Sequence, residues 1–174
     1  MEERKTVVLV DFNDNEVGVC EKMEAHEKGL LHRAFSVFLF RGDELLLQKR
    51  ASHKYHCGGL WTNTCCSHPA PSESVEDAAV RRLKEELDID AKSISEIHSF
   101  VYRAAFDNGL TEYEFDHVLI GEYDGEFAMN PEEVDDVRWV NIDNLLADVC
   151  NNPQRYTPWF ITALGEAVKN WRSA

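Results

Sequence analysis

The chain moves between two apolar rhythms. Runs with period two, or apolar throughout, predict strands at Val7 to Phe12, Glu16 to Cys20, Leu31 to Phe40, Glu44 to Arg50, Ile94 to Phe106, Tyr113 to Tyr123 and Val137 to Val140. Asn13-Asp14-Asn15, Arg41-Gly42-Asp43 and Asp107-Asn108-Gly109 supply the turns between them. A helical rhythm covers Glu73 to Leu87, where Ala79, Leu83 and Leu87 form an i, i+4 stripe and Ser72 stands as the N-cap. Shorter helices are predicted at Glu21 to Glu27, stopped by Gly29, and at Asn144 to Val149 and Pro158 to Trp171. Between strand pair and central helix, His53 to Pro71 reads as a functional loop with a short extended piece. Strands on both sides of a central helix, with more helix at the end, predict an α/β (α+β) fold: a mixed β-sheet sandwiched between α-helices. With 9 glycines, 5 prolines and no repeat or linker, the 174 residues are expected to form one domain, 1–174.

Charge narrows the function. Eighteen basic against 32 acidic residues give a net charge of -14, which excludes a general nucleic-acid binder. A small anion remains admissible where a local basic pocket or a metal overrides that field. No apolar run approaches the ~20 residues of a membrane span, and Met1-Glu2-Glu3-Arg4-Lys5 lacks the apolar region of a signal peptide. The expectation is a soluble, cytoplasmic protein with five free thiols and no membrane partner.

Trp61-Thr62-Asn63-Thr64-Cys65-Cys66-Ser67-His68-Pro69 is the most unusual segment. In extended backbone Cys66 and His68 project to one side, and Pro69 biases His68 toward that geometry. The alternative is a pair of structural cysteines beside a surface histidine. Glu112 and Glu114 form a second i, i+2 pair, with Tyr113 and Phe115 facing the other way. On a pocket wall, two such carboxylates repel and call for a proton or a cation; on a solvated face they are ordinary. His26 and His32 flank a turn, and three His with two Glu would suit a divalent cation if they converge. Arg81 with Glu85 and Arg82 with Glu86 are i, i+4 pairs in the weaker order for helix support. Lys22, Arg50, Lys54 and Arg82 come from four segments; converged they suit a phosphate, scattered they are solubility charges. Trp61 and Trp159 are either core or pocket wall. A zinc module built from His56, Cys57, Cys65, Cys66 and His68 lacks the regular C-x2-C spacing.

Trp61 to Pro69, the helix with Arg81, Arg82, Glu85 and Glu86, and Glu112-Tyr113-Glu114 together resemble the type I isopentenyl-diphosphate isomerases, members of the Nudix fold superfamily, from about Val17 to Trp171. Laid on the superfamily signature G-x5-E-x7-R-E-U-x-E-E-x-G-U (U bulky apolar), Glu73, Arg81, Leu83, Glu85, Glu86 and Ile89 match. Ser67 and Asp88 stand at glycine positions, and Arg82 replaces the glutamate after Arg81. That last departure speaks against diphosphate hydrolysis. Tyr55-His56-Cys57-Gly58-Gly59 lies where many relatives carry Pro-Gly.

The resemblance implies an octahedral Mg2+ or Mn2+ site made by His26, His32, His68, Glu112 and Glu114, with Glu86 helping to hold a second Mg2+. It implies Lys22, Arg50, Lys54 and Arg82 on the diphosphate, Cys66 and Glu114 as the acid-base pair, Tyr102 assisting Glu114, and Trp159 and Trp61 at the hydrocarbon. Its substrate is a small isoprenoid diphosphate, converted by a 1,3-proton shift with Glu114 as acid and Cys66 as base. The assembly expected is a monomer or weak homodimer.

Overall fold

Strand β3 (His32–Arg41) is buried over nearly its whole length, and the other elements are placed by the edge or face of it that they cover. The computed structural model describes residues 5–174; Met1–Arg4, most of the mixed-charge run at the start, lie outside the described residues. One edge of β3 runs parallel to β8 (Thr111–Glu122), with His32 opposite Glu114. Parallel strands are covered on both faces, hence the unbroken apolar run Val37 to Phe40. β8 pairs antiparallel with β7 (Ile94–Ala105). On its other edge β3 meets β6 (Cys65–Ser67), with Ser36 opposite Cys66, and then β4 (Glu44–Arg50). β4 continues the sheet to β5 (Trp61–Thr62) and β9 (Val134–Asn141). The hairpin β1 (Thr6–Val10) and β2 (Glu16–Glu21) joins through Leu9 opposite His32.

Helix α2 (Val75–Leu87) packs Ala79, Leu83 and Leu87 against Phe35, Val37 and Leu119 on one face. Helices α3 (Ile142–Asn151) and α4 (Pro158–Ser173) bury Leu145 and Phe160 against Phe38, Phe40 and Val118 on the other. The mixed sheet between helices is therefore as expected. Element ends differ. The cap of α2 is Ser74, whose hydroxyl accepts from Asp77 N at 3.1 Å, and not Ser72, which sits in a turn at φ 66°. The reason is Glu73: its carboxylate accepts from Ala70 N at 2.8 Å and from Arg81 Nε at 2.7 Å, folding the chain back before the helix begins. At the other end Asp88 adopts the left-handed φ of 53° that the superfamily signature assigns to glycine. Helix α1 (Lys22–Lys28) ends at Gly29, φ 62°, as the sequence predicts.

β3 and β4 pair only at Phe40–Leu45 and Arg41–Glu44, then splay. Residues 62–64 fill the gap and are fully buried. Thr64 Oγ1 accepts from Leu39 N at 2.9 Å and donates to Leu46 O at 2.6 Å, so one hydroxyl spans the two strands. Asn63 Nδ2 donates to Val37 O at 3.1 Å and Cys65 O at 2.7 Å. Gln48 Nε2 donates to Thr64 O at 2.7 Å. Buried backbone groups need partners, and here side chains replace the missing ladder. The following loop, Ser52 to Leu60, is tied down by Asp135, which accepts from Ser52 N at 3.0 Å and Ser52 Oγ at 2.5 Å. It is tied also by Asn108, which donates to Tyr55 O at 2.7 Å. A Cβ on Gly58 would lie 2.6 Å from Ser52 O, so no side chain fits there.

Thr64→Val keeps the volume and strips both bonds, leaving Leu39 N–H and Leu46 C=O buried and unpaired. Urea unfolding should show a loss of about 1–3 kcal/mol for each stranded group with an unchanged m-value. A change within about 0.5 kcal/mol, the size of a surface substitution, would show that the hydroxyl is not the bridge.

Candidate active site

The splayed side of the sheet opens into one pocket. Its walls come from α1 (Lys22), β4 (Gln48, Arg50), the 52–60 loop (Lys54, Tyr55, His56), β6 and the residue after it (Cys66, Ser67, His68), α2 (Arg82, Glu86), β8 (Glu112, Glu114), Glu133 and Trp159. Cys66 and Glu114 thus line the same cavity, on strands that flank β3. Of the site residues singled out in the sequence, His26, His32 and Tyr102 stand behind this lining, and Trp61 lies elsewhere. It faces a separate cavity of about 240 Å³ with Leu47, Val140 and Tyr156, and the Arg138 guanidinium sits 5.0 Å over its ring. Strand alternation explains this: Trp61 and Thr62 point to opposite sides, and Thr62 takes the interior.

The histidines converge. One ligand atom from each of His26, His32, His68 and Glu114 lies within 4.8 Å of all the others. His26 Nδ1 is bonded to Lys22 O at 2.6 Å and His32 Nδ1 to Leu30 O at 2.8 Å, which assigns the proton to Nδ1. Their Nε2 atoms are left buried with no hydrogen-bond partner, the lone pairs turned into the cluster. His68 Nε2 lies 3.1 Å from Glu114 Oε1 and His32 Nε2 lies 3.5 Å from it. Two imidazoles with unpartnered Nε2 atoms, a third held against the carboxylate, and that carboxylate fit a divalent cation. Glu112 stands beside the cluster, its Oε1 accepting from His56 Nε2 at 2.7 Å. Tyr102 O–H donates to Glu112 Oε2 at 3.4 Å, so its partner is Glu112 and not Glu114 as expected, although its backbone is in register with Glu114.

Burial dominates the electrostatics. It lowers the pKa of His26, and that of His68 by much more, with neighbouring positive groups adding to the effect. Burial also acts against His32 and Glu114, yet their mutual attraction wins, raising the histidine and lowering the carboxylate. Cys66 is pushed up to about 12 by burial, opposed by Arg50, whose Nη1 lies 3.8 Å from Sγ. The same guanidinium sits 5.3 Å over the Trp159 ring. Asp116, next in the alternation after Glu112 and Glu114, is buried and held well above the usual carboxylate range by burial and by those two charges; Ser36 Oγ donates to it at 2.8 Å.

The basic residues converge as a phosphate site would require, but each that reaches a carboxylate is paired. Lys54 bonds Glu133, and Arg82 bonds Glu86 at 2.6 Å and Glu85 at 2.8 Å. Gln48 Nε2 holds the other oxygen of Glu86 at 2.8 Å. Lys22 Nζ lies 5.2 Å over the Tyr55 ring. Four cations face four carboxylates (Glu86, Glu112, Glu114, Glu133) around the cavity. Sequence reasoning missed Gln48, His56, Glu133 and Asp116; of these only Asp116 carried a signal, the continued i, i+2 alternation.

The NUDIX domain family matches residues 30–160. Among curated relatives, "Isopentenyl-diphosphate Delta-isomerase 2" of Aromatoleum aromaticum is 50% identical over 163 residues, covering 93% of this chain and 86% of that protein. "Isopentenyl-diphosphate Delta-isomerase" of Burkholderia multivorans is 49% identical over 161 residues (92% and 90%), and the Photorhabdus laumondii protein "Isopentenyl-diphosphate Delta-isomerase 2" is 51% identical over 155 (88% and 87%). Among solved structures, DR0079 from Deinococcus radiodurans superposes with a TM-score of 0.76 at 19% identity, covering 93% of this chain and 98% of that one. A MutT NUDIX hydrolase from Burkholderia pseudomallei gives 0.64 at 22%, over 78% and 97%. The last two likenesses show the fold.

One divalent cation should bind the His26, His32, His68 and Glu114 cluster. Calorimetric titration with Mn2+ should show His32→Ala weakening that affinity by more than the about 10–100-fold that loss of an outer partner costs. Equal affinity in wild type and variant would place the cation elsewhere.

Proposed function

The chain belongs to the NUDIX domain family and, within it, to the isopentenyl-diphosphate Delta-isomerases, and from that premise we propose that it interconverts isopentenyl and dimethylallyl diphosphate by moving one proton on and another off. The observation that carries this reading is the pocket that Cys66 and Glu114 share with four basic side chains and with His68, through which the metal-fitting cluster meets it. A hydrolase reading is weaker, because Arg82 occupies the position of a signature glutamate and spends its guanidinium on Glu85 and Glu86.

Lys22, Arg50, Lys54 and Arg82 bind the diphosphate oxygens, and this remote binding fixes the five-carbon chain between the two proton-transfer groups. Trp159 walls the hydrocarbon end, where an aromatic face stabilises a desolvated cation by about 0.5–2 kcal/mol. In the isopentenyl-to-dimethylallyl direction the Glu114 carboxyl delivers a proton to the terminal carbon, giving a tertiary carbocation. Cys66 removes a proton from C2, and the double bond forms there. The reverse direction exchanges the two duties. Arg50 stabilises the thiolate that Cys66 needs, while burial opposes it. In the ligand-free pocket the proton therefore rests on sulfur and Glu114 is ionised, so the reactive distribution has to be set up when the charged substrate enters. Tyr102 steadies this arrangement through Glu112. The His26, His32, His68, Glu112 and Glu114 group would hold Mn2+ or Mg2+, with Glu86 contributing to a second Mg2+; bound there, these cations supply positive charge to the diphosphate and to the carboxylates. Closure around the substrate excludes water from the carbocation.

Incubation with isopentenyl diphosphate in D2O should yield deuterated dimethylallyl diphosphate and no free phosphate. Cys66→Ala and Glu114→Gln should each lower kcat by at least about a thousandfold, within the range for general acid-base groups. The roles separate by label position. With Glu114 as acid, Cys66→Ala still protonates and reverses, washing deuterium into the terminal =CH2 of unreacted isopentenyl diphosphate, and Glu114→Gln does not. The opposite pattern would reverse the assignment, and phosphate release would replace the isomerase reading altogether.

A further inference from the structure

His56 carries no duty in this chemistry, yet it is tightly held. Its side chain is 4% exposed, the ring packed 5.3 Å from Phe106, 5.8 Å from Trp159 and 4.4 Å from Tyr55, centroid to centroid. Nε2 donates to Glu112 Oε1 at 2.7 Å, while Glu112 Oε2 accepts the longer 3.4 Å bond from Tyr102. Donation from Nε2 leaves Nδ1 as the lone-pair atom, buried and without a hydrogen-bond partner. The backbone here is fixed as well: Asn108 donates to Tyr55 O at 2.7 Å, and His56 O accepts from Arg50 Nη2 at 3.5 Å. One carboxylate is thus gripped at both oxygens, from the 52–60 loop and from β7.

We infer that His56 is a positioning residue for the divalent cation, fixing the direction in which Glu112 presents its carboxylate to the His26, His32, His68 and Glu114 cluster. The inference rests on the metal reading above. Each carboxylate oxygen has a second lone pair, so the two bonds leave Glu112 free to ligate. A carboxylate already held by a donor loses less freedom when it meets a metal, and outer partners of this kind are worth about 10–100-fold in affinity. Tyr102 at 3.4 Å is too long a bond to do this alone. The bland alternative is that His56 only fills the space between Phe106 and Trp159.

Two substitutions separate these. His56→Phe keeps the ring packing and deletes the donor; His56→Gln deletes the ring and keeps a donor. Mn2+ is titrated into the full chain by calorimetry, with the Mn2+ electron paramagnetic resonance spectrum and the thermal midpoint recorded beside it. His56→Phe should bind Mn2+ about 10–100-fold more weakly with a near-unchanged midpoint and an altered spectrum, and His56→Gln should stay within about threefold of wild type. Should His56→Phe not fold, His56→Leu carries the same expectation. Wild-type affinity in the donor-free variant, or a His56→Gln as weak as it, overturns the inference while leaving the metal reading intact. No stoichiometric Mn2+ binding by the wild type overturns both.

Discussion

Everything at the reacting end of this molecule depends on how two splayed strands satisfy their backbone. β3 and β4 part after two residue pairs, in a buried region, and their orphaned groups must find partners. The side chains of Asn63 and Thr64 supply them, and Gln48 holds the plugging segment in turn by donating to Thr64 O. The segment that plugs the gap continues straight into Cys66 and His68. The bonds that close the core therefore set the position of the sulfur and of one cluster imidazole, and the register of Ser36 with Cys66 and of His32 with Glu114 completes the frame. A site built this way sits on strands rather than on free loops, which is what precise proton transfer demands.

The second organising constraint is charge. Eight formal charges crowd one cavity, and burying them is tolerable only because opposite signs are neighbours, as Arg82 is with Glu86 and Lys54 with Glu133. A diphosphate arriving here does not meet naked cations. Under the proposed function it would exchange partners with carboxylates, and dications held by the His and Glu cluster would compensate those carboxylates once their guanidinium and ammonium partners turned to phosphate. The four-atom His and Glu cluster, with its unpartnered Nε2 atoms, is the part of this balance that protein groups alone leave incomplete.

Much of this was legible in the residues, and the reasons differ. The layers followed from period two and period 3.6. The shared face of Cys66 with His68, and of Glu112 with Glu114, followed from strand alternation, which needs only local geometry. The same alternation continues to Asp116, the one missed residue that a local pattern marks. Trp61 failed because alternation assigns a side only once the interior side is known, and Thr62 claimed it. Tyr102 was assigned to the residue in register with it, whereas its long side chain reaches Glu112. Glu133 and Gln48, and the place of His56 beside Glu112 rather than in a zinc set, had no local signal for another reason. They come from a loop, a strand approach and a strand distant in sequence, and meet their partners through contacts that carry no period. Ser72 misled because a competing carboxylate at Glu73 had already closed the turn.

The Cys66 thiol also bears on chemical durability. A thiol held protonated in a pocket wall is a poor nucleophile toward peroxide and alkylating compounds, whose attack runs through the thiolate. An enzyme that exposed a permanent thiolate would be worn down by every passing oxidant. The same surroundings that raise the Cys66 thiol keep its thiolate fraction low and so slow its oxidation and alkylation.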